Sequence, residues 1–354
     1  MIDIQFDRND LNTFAQYANG ANHISLIAHV GPDGDTVGSV LGLAFILRAV
    51  YPEIKIYTIV PDTVPNYLNF VPGFDSLICY EETPKKTVEA IRSSELIGCI
   101  DFNTKRRMQH EEMQKAVSNS QAHCFMIDHH PYPETSSFDL VFSYTQVSST
   151  AELMYYWVRA MGWEKHIGKE AAEALLCGII TDTGCFMHNS SRAETYGAVM
   201  GLIKSGADKA AVINALFHRS RESQIRLKGF VLNEKMTLLK DKKAAYITLN
   251  KKELSSFHAE KGDTEGFVNI PLDIDGIRCS CLIREDEDQI KISLRSLNDF
   301  PVNGIATRAF GGGGHINAAG AEYDGTPEEA LAIFLRELDV ENEIYDRKKN
   351  IKNE

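Results

Sequence analysis

The sequence predicts an α/β protein: a parallel-sheet domain with flanking helices, a helical linker, and a smaller α+β domain. Three observations carry this. Through the first half, short apolar runs alternate with segments of helical spacing, the pattern of βαβ units on a parallel sheet. From Ala244 the pattern changes to short strand-like runs, AAYITLN, RCSCLIRE and QIKISLRS, followed by a glycine cluster and one more helix. The length of 354 residues suits about two domains, at roughly 150 residues each.

Taken in order, HISLIAHV (23–30), KIYTIV (55–60), SLICY (76–80), ELIGCIDF (95–102), HCFMID (123–128) and LVFSY (140–144) read as strands. Segments such as SVLGLAFILRAV between them have helical spacing. AELMYYWVRAM, the stretch around Glu170 to Ile180 and two further helices up to about Lys240 read as a helical bridge. The predicted division is a first domain over 1–190, a helical linker over 191–240, a second domain over 241–340, and a polar tail over 341–354, of which DRKKNIKNE (346–354) is expected to fray. Cys279 and Cys281, two apart in a strand-like run, are expected to share a face.

Composition narrows the class. Lys plus Arg number 37 against 49 Asp plus Glu, a net charge of −12, which argues against wrapping long nucleic acid through phosphate neutralisation but allows a short nucleotide at a local site. Residues 204–243 hold ten basic and four acidic residues, read as solvated helix faces with an electrostatic funnel as the alternative. No apolar run approaches the roughly 20 residues needed to cross a bilayer. The opening MIDIQFDRND lacks the basic region and cleavage site of a signal peptide, so no export is expected. Seven cysteines without a C-x-x-C pair fit reduced thiols, and the cytoplasm is the expected compartment.

The chemistry concentrates at strand ends. His29, Asp33 and Asp35 lie in AHVGPDGDTVGS, where a strand gives way to a helix; carboxylates two apart in extended backbone point to one side, though aspartates here also serve simply as helix caps. Asp101 closes one apolar run, and Asp128-His129-His130 closes another. In a parallel sheet these ends share one edge, where α/β proteins bind ligands. Asp182 in GIITDTG follows an apolar helical run, where a simple C-terminal turn is the alternative. Gathered carboxylates repel unless a cation compensates, and an oxygen-rich donor set with few imidazoles suits Mn²⁺ or Mg²⁺. Two such ions, about 3.5 to 4 Å apart, could share a bridging carboxylate and activate water for attack on phosphorus.

Downstream, Gly312, Gly313 and Gly314 let backbone N–H groups approach an anion, and His315 with Arg295 of QIKISLRS could clamp a terminal phosphate. A flexible turn is the alternative. Arg106 and Arg107 are weaker candidates that read equally well as a solvated helix face.

The H-x3-D-x-D at 29–35, the strand-end Asp101, the DHH at 128–130 and Asp182 resemble the four motifs of the DHH phosphoesterase superfamily, and GGGGHINAAG (311–320) resembles the signature of its DHHA1 domain. The resemblance implies that His29, Asp33 and Asp101 hold one manganese while Asp35, Asp101, His129 and Asp182 hold the other, with Asp101 bridging. It implies that His130 faces the substrate or leaving group and Asp128 orients a histidine. Arg295 and His315 would be substrate-phosphate ligands, and the active site would lie in a cleft between the domains.

The arrangement is similar to stand-alone members of the oligoribonuclease and pAp phosphatase (nanoRNase) type. That implies hydrolysis of short oligoribonucleotides from an end and of 3′-phosphoadenosine 5′-phosphate, with two Mn²⁺ as cofactor and Mg²⁺ as the alternative. Expected partners are short oligonucleotides or nucleotide bisphosphates, with no long duplex and no membrane; a homodimer is left open. Cyclic di-AMP or pApA phosphodiesterases share all these motifs and form the rival reading. A RecJ-type exonuclease is disfavoured by the acidic charge and the absence of room for a single-strand-binding domain. Exopolyphosphatase activity is a minor reading. A silent nucleotide-binding module would be expected to have lost a ligand, and all six positions are filled.

Overall fold

The apolar runs of the first half become six parallel strands. The computed structural model describes residues 4–218, 221–260, 262–286 and 289–353, and it divides into two units, Met1–Arg219 and Ser220–Glu354. In the first unit, β1 (His23–Ile27), β2 (Lys55–Val60), β3 (Leu77–Cys79), β4 (Leu96–Ile100), β5 (His123–Asp128) and β6 (Leu140–Ser143) pair in the order β3-β2-β1-β4-β5-β6. Every pairing is parallel. The chain builds outward from β1 in one direction, then returns to its other side with β4. That reversal leaves a crevice beyond the carboxyl ends of β1 and β4, the ordinary ligand position in an open α/β sheet.

Period-two alternation sends side chains to opposite faces of the sheet. Ile24, Leu26, Ile100, Phe125 and Ile127 pack with helices α1 (Arg8–Asn19), α2 (Gly34–Val50), α5 (Thr150–Ala160) and α6 (Lys169–Asp182). Ile27, Ile59, Ile97 and Cys99 pack on the other face against α3 (Pro84–Arg92) and α4 (Glu111–Ser118). Helix α2 is apolar on nearly all sides and lies against α6. A side chain at Gly38 would meet the Ala174 carbonyl at 2.3 Å, so glycine there permits the close approach of the two backbones. Helices α7 (Ala193–Lys204) and α8 (Lys209–Phe217) complete this unit.

The second unit carries α9 (Glu222–Phe230), β7 (Met236–Leu239), β8 (Ala244–Leu249), α10 (Lys251–Ser256), β9 (Cys279–Glu285), β10 (Ile290–Ser296), α11 (Asn303–Phe310), β11 (Gly313–Gly314), β12 (Ala318–Tyr323) and α12 (Pro327–Asn353). Its sheet runs β11-β12-β10-β9-β8-β7, with β8 and β9 parallel and the other pairs antiparallel. Cys279 and Cys281 share a face, buried with Ile283, Ile292 and Leu294 under α11 and α12. All seven cysteines are free thiols. Among the described residues, no helix is long and apolar enough to cross a membrane.

Three expectations change. The strand expected over 23–30 ends at Ile27, because Val30 leaves the sheet to donate to the Arg107 carbonyl at 2.8 Å. The stretch 191–240, expected as a helical linker, is shared out: α7 and α8 belong to the first unit, α9 to the second, and residues 236–239 form β7. The polar tail expected over 341–354 is instead a continuation of α12, which runs to Asn353 and takes in most of the stretch 346–354 expected to fray. Buried Glu341 pairs with Arg308 at 2.6 Å, and Tyr345 packs on Phe300 with the Arg278 guanidinium 4.8 Å over its ring. These contacts give a polar helical end a reason to stay folded.

Candidate metal centre

The site is built from Asp101 outward. This residue follows β4 with a left-handed backbone (φ 67), which aspartate tolerates better than most residues and which turns its carboxylate away from the strand. It is buried, and each carboxylate oxygen is addressed by one hydroxyl and by imidazole nitrogen. Oδ2 accepts from the Thr36 hydroxyl at 2.5 Å and lies 3.4 Å from His29 Nε2. Oδ1 accepts from the Thr150 hydroxyl at 2.8 Å and lies 3.8 Å from His129 Nε2 and 3.7 Å from His130 Nδ1.

On the β1 side, His29 Nδ1 donates to the Val30 carbonyl at 2.7 Å; a carbonyl only accepts, so this nitrogen carries the proton and Nε2 is turned toward the carboxylates. Asp33 caps α2, accepting from the backbone N–H groups of Asp35 and Thr36 at 3.0 Å each. Its ligand atom nevertheless lies within reach of His29 and Asp101, so capping and site membership coexist. Asp35 is not in extended backbone, as the sequence reading has it, but in the first turn of α2. Its carboxylate accepts from the backbone N–H groups of Thr150 at 2.7 Å and Ala151 at 2.9 Å. It therefore sits on the N-terminus of α5, where unpaired donors and the helix dipole favour an anion.

On the β5 side, Asp128 grips His130 twice, accepting from its ring Nδ1 at 2.7 Å and its backbone N–H at 3.0 Å. His129 Nε2 stands 3.9 Å from Asp35 and 3.4 Å from Asp182, the last residue of α6. Asp182 is 30 % exposed while Asp35 and Asp101 are almost fully buried, so the cluster opens to solvent on the Asp182 and Asp33 side.

The electrostatics follow from this crowding. Burial, then the neighbouring charges of Asp101, Asp182 and Asp33, push the Asp35 carboxyl well above its ordinary range; burial, Asp33 and Asp101 do the same to Asp182. Burial would raise Asp101 too, but the hydrogen bond from His29 and the charges of the three histidines hold it low. Burial, the largest influence on His29, works to lower it, but its hydrogen bond to Asp101 and the charges of Asp33 and Asp101 together raise it. Four aspartates and three imidazoles form a hard, oxygen-rich donor set whose mutual repulsion a divalent cation would relieve. His29, Asp33 and Asp101 form one possible ligand group, and Asp35, Asp101 and His129 another, with Asp101 common to both.

The second unit places its predicted residues together as well. Arg295 of β10 pairs with Ala318 of β12, and the Ala318 carbonyl accepts from the His315 backbone N–H at 2.7 Å. The register thus brings Arg295 and the turn at His315 to one end of the sheet. The glycines are more constrained than an open cradle. The Gly312 N–H donates to the Ala306 carbonyl at 3.0 Å, and a side chain at Gly312 would meet the Gly320 carbonyl at 2.2 Å. Gly314 lies equally close to β12, whereas Gly313 faces open space. Tight packing against β12 therefore accounts for Gly312 and Gly314.

Sequence reasoning missed Thr36, Thr150 and the α5 N-terminus. For the α5 N-terminus alone the signal was present, in Ser149-Thr150-Ala151-Glu152, which has the capping-box spacing.

A doubly wound sheet with a carboxylate–imidazole cluster at its switch point is a site that could hold divalent metal ions. The chain belongs to the DHH family of phosphoesterases: its residues 23–179 match the DHH family N-terminal domain, and 241–341 match the DHHA1 domain. It is 29% identical over 325 residues to the bifunctional oligoribonuclease and PAP phosphatase NrnA of Bacillus subtilis, covering 90% of this chain and 96% of that protein. It is 28% identical to the cyclic-di-AMP phosphodiesterase PdeA of Listeria monocytogenes, covering 90% of this chain but 48% of PdeA. The crystal structure of an exopolyphosphatase-related protein from Bacteroides fragilis superposes with a TM-score of 0.90 at 38% identity, covering 96% of this chain and 98% of that one.

Proposed function

We propose that this phosphoesterase hydrolyses short oligoribonucleotides from an end and removes a phosphate from 3′-phosphoadenosine 5′-phosphate, using two Mn²⁺ ions. The carrying observation is the position of Asp101, whose two oxygens face separate ligand groups. His29, Asp33 and Asp101 would hold one ion; Asp35, Asp101, His129 and Asp182 would hold the other. Bound there, the ions would supply the Lewis acidity that activates a water and offsets charge on the phosphoryl oxygens. Asp128 fixes His130 through Nδ1, and His130 delivers a proton to the departing oxygen as the P–O bond breaks. Arg295 and His315, at one end of the second sheet, anchor a terminal phosphate, which limits the substrate to short chains.

The near full-length match to NrnA supports this substrate class over that of PdeA, of which the chain spans about half. In this reading residues 1–190 carry the metal chemistry and 241–340 the substrate contacts. Free thiols throughout suit a reducing cytoplasm. The test offers pAp, pApA, cyclic di-AMP and a five-nucleotide RNA side by side with Mn²⁺. Highest kcat/KM on pAp and the short RNA is expected, and preference for cyclic di-AMP would overturn the assignment.

A further inference from the structure

Thr150 occupies a position no motif reading singles out. It is the first residue of α5, following the N-cap Ser149. At that position the backbone N–H has no partner within its own helix, and the threonine hydroxyl has no carbonyl one turn earlier in the helix to bond. Both donors are spent on the metal centre instead: the N–H on Asp35 Oδ2 at 2.7 Å, the hydroxyl on Asp101 Oδ1 at 2.8 Å.

We infer that Thr150 is a positioning residue that sets the spacing of Asp35 and Asp101, and that its hydroxyl aims Asp101 Oδ1 toward the Asp35–His129 ligand group. The inference rests on the metal reading above. A carboxylate oxygen has two lone pairs; the hydroxyl takes one, which fixes the direction of the other. The frame around Thr150 is rigid and buried. Ser149 Oγ accepts from the Glu152 N–H at 3.0 Å, and Glu152 Oε2 accepts from the Ser148 N–H at 2.9 Å, the Ser148 hydroxyl at 2.6 Å and the Thr195 hydroxyl at 2.9 Å. Beside Asp35, Gly178 of α6 makes room for the carboxylate, since a side chain there would lie 2.8 Å from Asp35 Oδ1. Both oxygens of Asp35 are held by backbone N–H groups of α5, from Thr150 and Ala151, and Thr150 couples Asp101 to it.

Thr150→Val keeps the shape and the backbone donor and removes only the hydroxyl; Thr150→Ser keeps the hydroxyl. Mn²⁺ binding to the metal-stripped proteins, followed by the spin resonance of free Mn²⁺, reads the effect without turnover. The valine variant should bind about tenfold to a hundredfold more weakly, as losses of outer hydrogen bonds to metal ligands usually do. Its kcat on pAp should fall by a similar factor with KM within about twofold, because substrate anchoring is untouched. The serine variant should recover most of both. Unchanged Mn²⁺ binding by the valine variant, or a serine variant as impaired as valine, overturns the inference. A wild type that binds no Mn²⁺ overturns the metal reading itself. If the valine variant fails to fold by circular dichroism, Thr150→Ala is judged by the same two criteria.

Discussion

His29 Nε2 lies 3.4 Å from Asp101 Oδ2, while the other nitrogen of the ring is committed to the Val30 carbonyl. A neutral imidazole would then turn a lone pair toward a carboxylate. The contact is favourable only with a proton or a cation between the two, so without metal His29 titrates high.

This fixes the sign of a pH effect on the metal-stripped protein. Asp35, Asp182 and His29 all have raised pKa values. Each contributes stability that is present at pH below its ordinary range and is lost as pH rises through its folded value. Asp101 is lowered, so its contribution is lost only as pH falls below the ordinary carboxylate range. Metal-stripped protein should therefore lose Tm as pH rises from the ordinary carboxylate range through and beyond the ordinary histidine range, and Mn²⁺ should raise Tm most at the upper end. Asp182→Asn should flatten the metal-free slope; an unchanged slope in thermal melts would show that Asp182 is not part of the repelling set.

Asp101→Asn tests the bridge while keeping a residue at ease with φ 67. Hydrolysis of every substrate should fall by about a hundredfold or more, with folding retained by circular dichroism. Turnover above about a tenth of wild type would sink the bridging role.

Removal of metal by EDTA should abolish activity, and Mn²⁺ should restore it better than Zn²⁺. Zinc binds such donors tightly, but affinity order does not follow catalytic suitability. Full turnover by protein shown to be metal-free would contradict the mechanism.

The phosphate anchor makes a substrate-dependent prediction. Arg295→Ala or His315→Ala should lower kcat/KM on pAp and short RNA by about tenfold to a hundredfold, matching roughly 1.5 to 3 kcal/mol for a charge-assisted contact. A small chromogenic phosphoester should be spared. Equal losses on all substrates would make the His315 turn structural.

The sequence exposed the sheet and most of the cluster, because strand-end aspartates and histidines stand out against uninterrupted apolar runs. It misplaced Asp35, since Pro32 and Gly34 suggest a turn with the helix starting near Thr36, whereas the Asp33 cap starts the helix at Gly34, two residues earlier. It could not show that α5 would present its N-terminus to Asp35, a contact between residues more than a hundred positions apart. Thr36 and Thr150 went unnoticed because a buried threonine carries no pattern of its own. The extension of α12 depends on Arg278 and Phe300, neither of them near it in sequence.

The most direct test of the central claim is an anomalous-scattering difference map from crystals of this protein grown with Mn²⁺. Two peaks about 3.5 to 4 Å apart should appear with Asp101 between them, one beside His29 and Asp33 and the other beside Asp35, His129 and Asp182. A single peak not touching Asp101, or none within this cluster, would contradict the account.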